Sequence, residues 1–164
     1  MKTMMSKSLI KAASALVIAL CPPAVALMSE AHAAKGPWQC VTFARSFSGI
    51  EIRGNAHTWW EQSAGRYHRS SRPEVGAVLV FKSFGTGGMR LGHVATISEV
   101  LNNREVLITH ANWTGKGEVD TNVRAVDVSP TGDWSRVRVW YPPVNDLGRT
   151  AYPAFGFIHP NYEG

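Results

Sequence analysis

The sequence predicts an α+β domain in which N-terminal helices pack on a small antiparallel sheet or half-barrel. Two features of the pattern predict it. Apolar residues recur at helical spacing after Cys40, and from Ala77 onward the period changes to two. A third observation sets the number of domains. With 164 residues, 45% of them hydrophobic, the chain can bury one core, and no repeat, low-complexity tract or internal linker divides it.

Residues 1–33 read as a secretory signal peptide. Lys2, Lys7 and Lys11 form a basic leader, and the apolar stretch AASALVIALCPPAVAL follows, interrupted by Pro22-Pro23. Ala31-His32-Ala33 then offers small residues at the two positions a signal peptidase reads. The mature chain is expected to begin at Ala34 and to be exported, periplasmic or secreted, without stable membrane insertion. Lipidation at Cys21 is the alternative, and bulky Leu20 argues against it. No run of 18 uninterrupted apolar residues exists, which excludes a polytopic membrane protein. Net charge is +5, and +3 remains once the leader is removed, too little to argue for nucleic acid as a partner. Nothing in the sequence sets an oligomeric state.

The first helix of the mature chain follows Gly36-Pro37, with Cys40, Phe43, Ala44 and Phe47 on one face. A second is predicted over 55–64, with Asn55 as N-cap and Gly65 ending it. GRYHRSSRPEVG reads as a solvated loop. Strands are predicted over 77–82, 93–100, 105–112, 123–129, 136–141 and 155–158. SFGTGGMRLG joins the first two as a glycine-rich rim beside His93. It lacks the Lys-Ser/Thr of a phosphate loop, so no nucleotide cofactor is expected.

Signal cleavage leaves Cys40 as the lone cysteine of an exported protein, where cysteines usually pair. At a helix N-terminus its thiolate is stabilised by free N–H groups and the helix dipole. A nucleophile also needs an imidazole, and the imidazole needs a group to orient it. His57, His68 and His159 fall in a helix, a loop and a tail and read as surface residues; His93 and His110 fall in strands. Taking Asn102-Asn103 as a two-residue hairpin loop pairs Leu101 with Arg104. It then sets Ile97 opposite Ile108, Ala95 opposite His110 and His93 opposite Asn112, with all three polar residues on one face. Two half-buried strand histidines would be the plain alternative. A zinc site lacks a third ligand with matching placement, so no metal is expected. Under this register Asn112 faces His93 directly and is the expected orienting group, with His110 a diagonal neighbour.

The successive segments WQCVTFAR, GNAHTWW, PEVGAVLVF, GHVATISEV and ITHANW resemble, in order, the motifs of the CHAP domain, the cysteine- and histidine-dependent amidohydrolase/peptidase family. The resemblance spans about residues 36–142. It implies a papain-like fold, Cys40 as nucleophile and His93 as base. Asn112 matches a family asparagine, whereas His110 stands where the family typically has an acidic residue. The implied substrate is peptidoglycan, cut at an N-acetylmuramoyl-L-alanine or a peptide amide bond, with no cofactor. A catalytically silent wall-binding module on the same fold is the competing expectation.

Overall fold

The computed structural model describes residues 38–160, which lie within a compact unit spanning Ala31–Gly164. The expected signal peptide and the start at Ala34 fall outside the described residues.

Helix α1 (Cys40–Ser48) forms where the apolar spacing predicts it. Gln39 precedes it in an extended conformation, its N–H donating to Thr42 Oγ1 at 3.1 Å, while the Thr42 hydroxyl donates to Gln39 O at 3.0 Å. Gly49 ends the helix in the left-handed region, donating to Arg45 O. The predicted second helix is a 3₁₀ turn (Ala56–Thr58) followed by one α-turn, α2 (Trp59–Gln62). Asn55 precedes it without a side-chain cap bond.

Among the described residues, eight strands follow: β1 (His68–Ser70), β2 (Val78–Phe81), β3 (His93–Asn102), β4 (Glu105–Ala111), β5 (Val119–Asp127), β6 (Arg136–Tyr141), β7 (Asp146–Leu147) and β8 (Tyr152–His159). Their order is β1-β8-β2-β3-β4-β5-β6-β7, and an added β8–β6 pairing makes β2, β3, β4, β5, β6 and β8 a closed barrel. The expected small antiparallel sheet is thus a closed six-stranded barrel. Closure depends on β8 serving two barrel neighbours besides β1: Tyr152 and Pro153 pair with β6, whereas Ala154, Gly156, Phe157 and Ile158 pair with β2. A bulge at Phe155 and Gly156 at φ 130° mark the bend, and the displaced Phe155 ring stacks on Trp60. Pro153 has no N–H to give the ladder, but its carbonyl accepts Lys82 N–H at 2.9 Å.

The core has two parts, divided by the sheet. Leu79, Phe81, Ala95, Ile97, Ile108, Trp134 and Phe157 fill the barrel. Val78, Val80, Val94 and Ile158 face outward and pack with Ala44, Ile50, Ile52 and Trp59 of the helical layer. Strand β2 is therefore buried on both faces, which is why AVLVF reads as a continuous apolar run.

Two readings of the polar segments need correction. The loop expected to be solvated contributes β1, paired with β8. His159, expected at the surface, is buried; its Nε2 lies 2.7 Å from Ser70 Oγ and its Nδ1 3.2 Å from Glu74. These contacts tie the end of β8 to β1 and the following turn. Among the described residues, no helix is long and apolar enough to cross a membrane.

Candidate active site

Cys40, first residue of α1, lines a cleft of about 460 Å³ with His93, the first residue of β3. Gln39, Asn112, Trp113 and Tyr152 also line it. The cleft thus runs from the head of the helix to one end of the barrel.

Gly92 is what lets β3 begin there. Its φ of 72° and ψ of −172° suit glycine, and a Cβ would sit 2.7 Å from His57 N and 2.8 Å from Phe81 O. Both obstacles are backbone, so neither can move aside cheaply. The Gly-His pair is thus a steric unit as well as a sequence motif.

His93 and His110 project toward the barrel side of adjacent strands, in step with Ala95, Ile97 and Ile108. Their rings meet directly: His93 Nε2 lies 2.9 Å from His110 Nδ1. Trp113 packs against both, with centroids at 4.9 Å and 5.4 Å. His93 is 4% exposed and His110 1%.

The expected register is right at Ile97/Ile108, but for another reason. The hairpin loop is Asn103-Arg104, with Asn102 opposite Glu105. Asn102 stabilises the turn through its side chain, whose Oδ1 accepts Arg104 N–H at 2.9 Å. Two bulges in β3, between Ile97 and Glu99 and between Val100 and Asn102, then cancel the shift.

Asn112, expected to face His93, makes its side-chain hydrogen bonds elsewhere. Strand β4 stops at Ala111, and Asn112 turns into the left-handed region at φ 64°. Its Oδ1 accepts Gly117 N–H at 3.0 Å, and its Nδ2 donates to Gln39 Oε1 at 3.1 Å. A backbone N–H can only donate, so it fixes which end of the Asn112 amide is oxygen. That in turn fixes Gln39 with its oxygen on Asn112 and its NH₂ turned away. His110, read as the diagonal neighbour, makes the contact on His93.

Charge in the site is governed by burial. Desolvation pushes the Cys40 thiol up from its ordinary value and outweighs the backbone N–H groups of Val94, Val41 and Cys40 itself, which favour the thiolate. Desolvation also lowers the His93 pKa to about 3, and lowers that of His110, where the neighbouring His93 adds to it. The pair therefore rests as thiol and neutral imidazole, not as the thiolate that the helix terminus alone suggests. Among the described residues, no group of three His, Cys, Asp or Glu side chains is arranged to hold a metal ion.

Acid sensitivity follows. An imidazole with a pKa of 6.5 when unfolded and about 3 when folded binds more protons in the unfolded chain between those values. Stability should thus fall as pH drops through that window, by up to about 1.4 kcal/mol per pH unit for each such group. Urea unfolding at several pH values checks this. A His93→Gln variant should show a flatter dependence between pH 6 and 4, and an unchanged slope would contradict it.

A family model for the CHAP domain matches residues 31–112, half of the chain. The protein belongs to the CHAP family. The matched part of this CHAP protein holds Cys40, His93, His110 and Asn112, and ends at the last of them. Among solved structures, the chain is similar to N-acetylmuramoyl-L-alanine amidase from Staphylococcus aureus, at 19% identity and a TM-score of 0.48. That match covers 71% of this chain and 30% of the amidase chain. No curated protein matches the chain.

The sequence alone did not single out Gly92 for its backbone, the covering role of Trp113, or the Gln39–Asn112 bond. The Gly-His and Gln-Cys pairs were visible, but their reasons lie in contacts distant along the chain.

Proposed function

We propose that this CHAP protein is an exported cysteine hydrolase that cleaves amide bonds of bacterial peptidoglycan, as an N-acetylmuramoyl-L-alanine amidase or a peptide endopeptidase. One observation carries the reading. Cys40 and His93 line the same cleft, and a buried second imidazole, His110, engages the far nitrogen of His93. A helix-borne cysteine beside a barrel-borne histidine is the papain-like arrangement that the family implies.

With Nε2 engaged by His110, His93 has Nδ1 left to serve the thiol. Because both partners rest neutral, sulfur attack on the amide carbonyl and proton transfer from Sγ to His93 Nδ1 occur together. The tetrahedral oxyanion meets the Cys40 N–H and the Gln39 NH₂, which Asn112 turns away from itself. His93 then returns the proton to the leaving amine, and the carbonyl carbon remains on sulfur as a thioester. Water, deprotonated by His93, releases the acid. The signal-like composition of residues 1–33 supports export to where this substrate lies.

The test is digestion of purified peptidoglycan, with mass assignment of the fragments. New amine and carboxyl ends should appear with the wild type and not with Cys40→Ala. Binding to the wall without any cleavage would instead support the silent module.

A further inference from the structure

His110 has an orphan of its own. Its Nε2 is buried without a hydrogen-bond partner, and across the β4–β5 ladder it looks toward Asp120, whose Oδ2 lies 3.8 Å away. Asp120 opposes His110 directly at the start of β5, and its side chain is only 12% exposed. Thr114 aims it: the Thr114 hydroxyl donates to Oδ1 at 2.7 Å, and Thr114 N–H approaches Oδ2 at 3.4 Å. Asp120 also lies beyond the residues that the family model matches.

A single proton occupies the 2.9 Å gap between His93 Nε2 and His110 Nδ1, and two arrangements compete for it. With the proton on His93 Nε2, His93 Nδ1 is a bare lone pair able to take the thiol proton. His110 then carries its own hydrogen on Nε2, pointing at the carboxylate. With the proton on His110 Nδ1 instead, His93 must carry its hydrogen on Nδ1 and cannot act as a base. His110 Nε2 would then direct a lone pair at a negative oxygen, in a site where little water is present to screen the repulsion. The first arrangement replaces that repulsion by attraction.

We infer that Asp120 is a positioning residue that sets the tautomer of His110 and, through it, that of His93, holding the pair in the arrangement where His93 Nδ1 accepts a proton. The consequence for catalysis rests on the proposed cysteine hydrolysis; the tautomers do not. Asp120 touches neither substrate nor thiol, so its influence passes through two rings.

Long-range ¹⁵N–¹H spectra of the full chain labelled in histidine read the tautomers directly. The wild type should show His93 and His110 both as Nε2–H. Asp120→Ala should bring His110 Nδ1–H into the population and lower kcat on peptidoglycan by about 10-fold with KM unchanged, the range seen when partners of metal-bound imidazoles are removed. Asp120→Asn, which can present an amide oxygen to Thr114 N–H and His110 together, should recover most of that loss. Finding His110 as Nδ1–H in the wild type would overturn the inference, as would wild-type tautomers and kcat in a folded Asp120→Ala. The wild-type spectrum decides even if Asp120→Ala does not fold. Failure of the hydrolase reading would show separately, as full activity in Cys40→Ala.

Discussion

Cys40→Ser should abolish hydrolysis, by at least about a thousandfold, while leaving the fold intact. The two side chains are nearly the same size and the position is only partly buried. The chemistry, however, is unforgiving. Burial holds the His93 pKa at about 3, so this imidazole is a weak base at rest. It can relieve a thiol of its proton as sulfur attacks, but a serine hydroxyl is several orders of magnitude less acidic. His93→Ala should do comparable damage by removing the proton acceptor. Circular dichroism and thermal unfolding establish that each variant is folded, and fragment release from peptidoglycan measures activity. A folded Cys40→Ser with near wild-type turnover would mean that the nucleophile lies elsewhere.

The second large effect separates His110 from Asn112. His110→Ala should lower kcat on the order of a hundredfold, because His93 loses the group that fixes its ring and tautomer. It also empties buried space beside Trp113, so stability should fall by about 1–3 kcal/mol. His110→Asn separates the two losses. Its amide oxygen can accept from His93 Nε2 near the place of the lost Nδ1, so part of the turnover should return even where stability does not. Asn112→Ala should cost less and by another route, freeing Gln39 to rotate and weakening the oxyanion site. If Asn112→Ala proves the more damaging, the orienting group is not the one that the hydrogen bonds indicate.

What the sequence made legible, and what it hid, follows the range of the interactions. Helix α1 and the apolar strands β2, β3, β4 and β6 are written locally, in spacing and turn residues. Cys40 and His93 were legible for the same reason, each sitting at the start of such an element. Strand periodicity contains no sign of the left-handed turn at Asn112 or of its bonds to Gly117 and Gln39. The hairpin shows how a correct pairing can arise from a wrong turn: the loop sits one residue further along, and two bulges restore the register by Ile97. Strand β1 was hidden because HRS, on a half-covered edge, lacks an apolar signature. The front of β8 was hidden by Pro153, which ordinarily argues against a strand interior.

The closure of the barrel by β8 sets when the cleft can exist during folding. The residues matched to the family, 31–112, include the cysteine and both histidines but only β2, β3 and β4 of the barrel. The remaining staves, β5, β6 and β8, come after it, and Ser70 meets Phe157 only once nearly the whole chain is available. Pairings so distant in sequence form slowly, since loop entropy is lost before the contacts that offset it are gained. Until they form, Leu79 and Phe81 have no opposite wall in the barrel core. The segment that holds Cys40, His93 and His110 is therefore shorter than the segment that must fold, and a nascent or truncated chain would hold all three while lacking the closed barrel and the Tyr141 and Tyr152 side of the cleft.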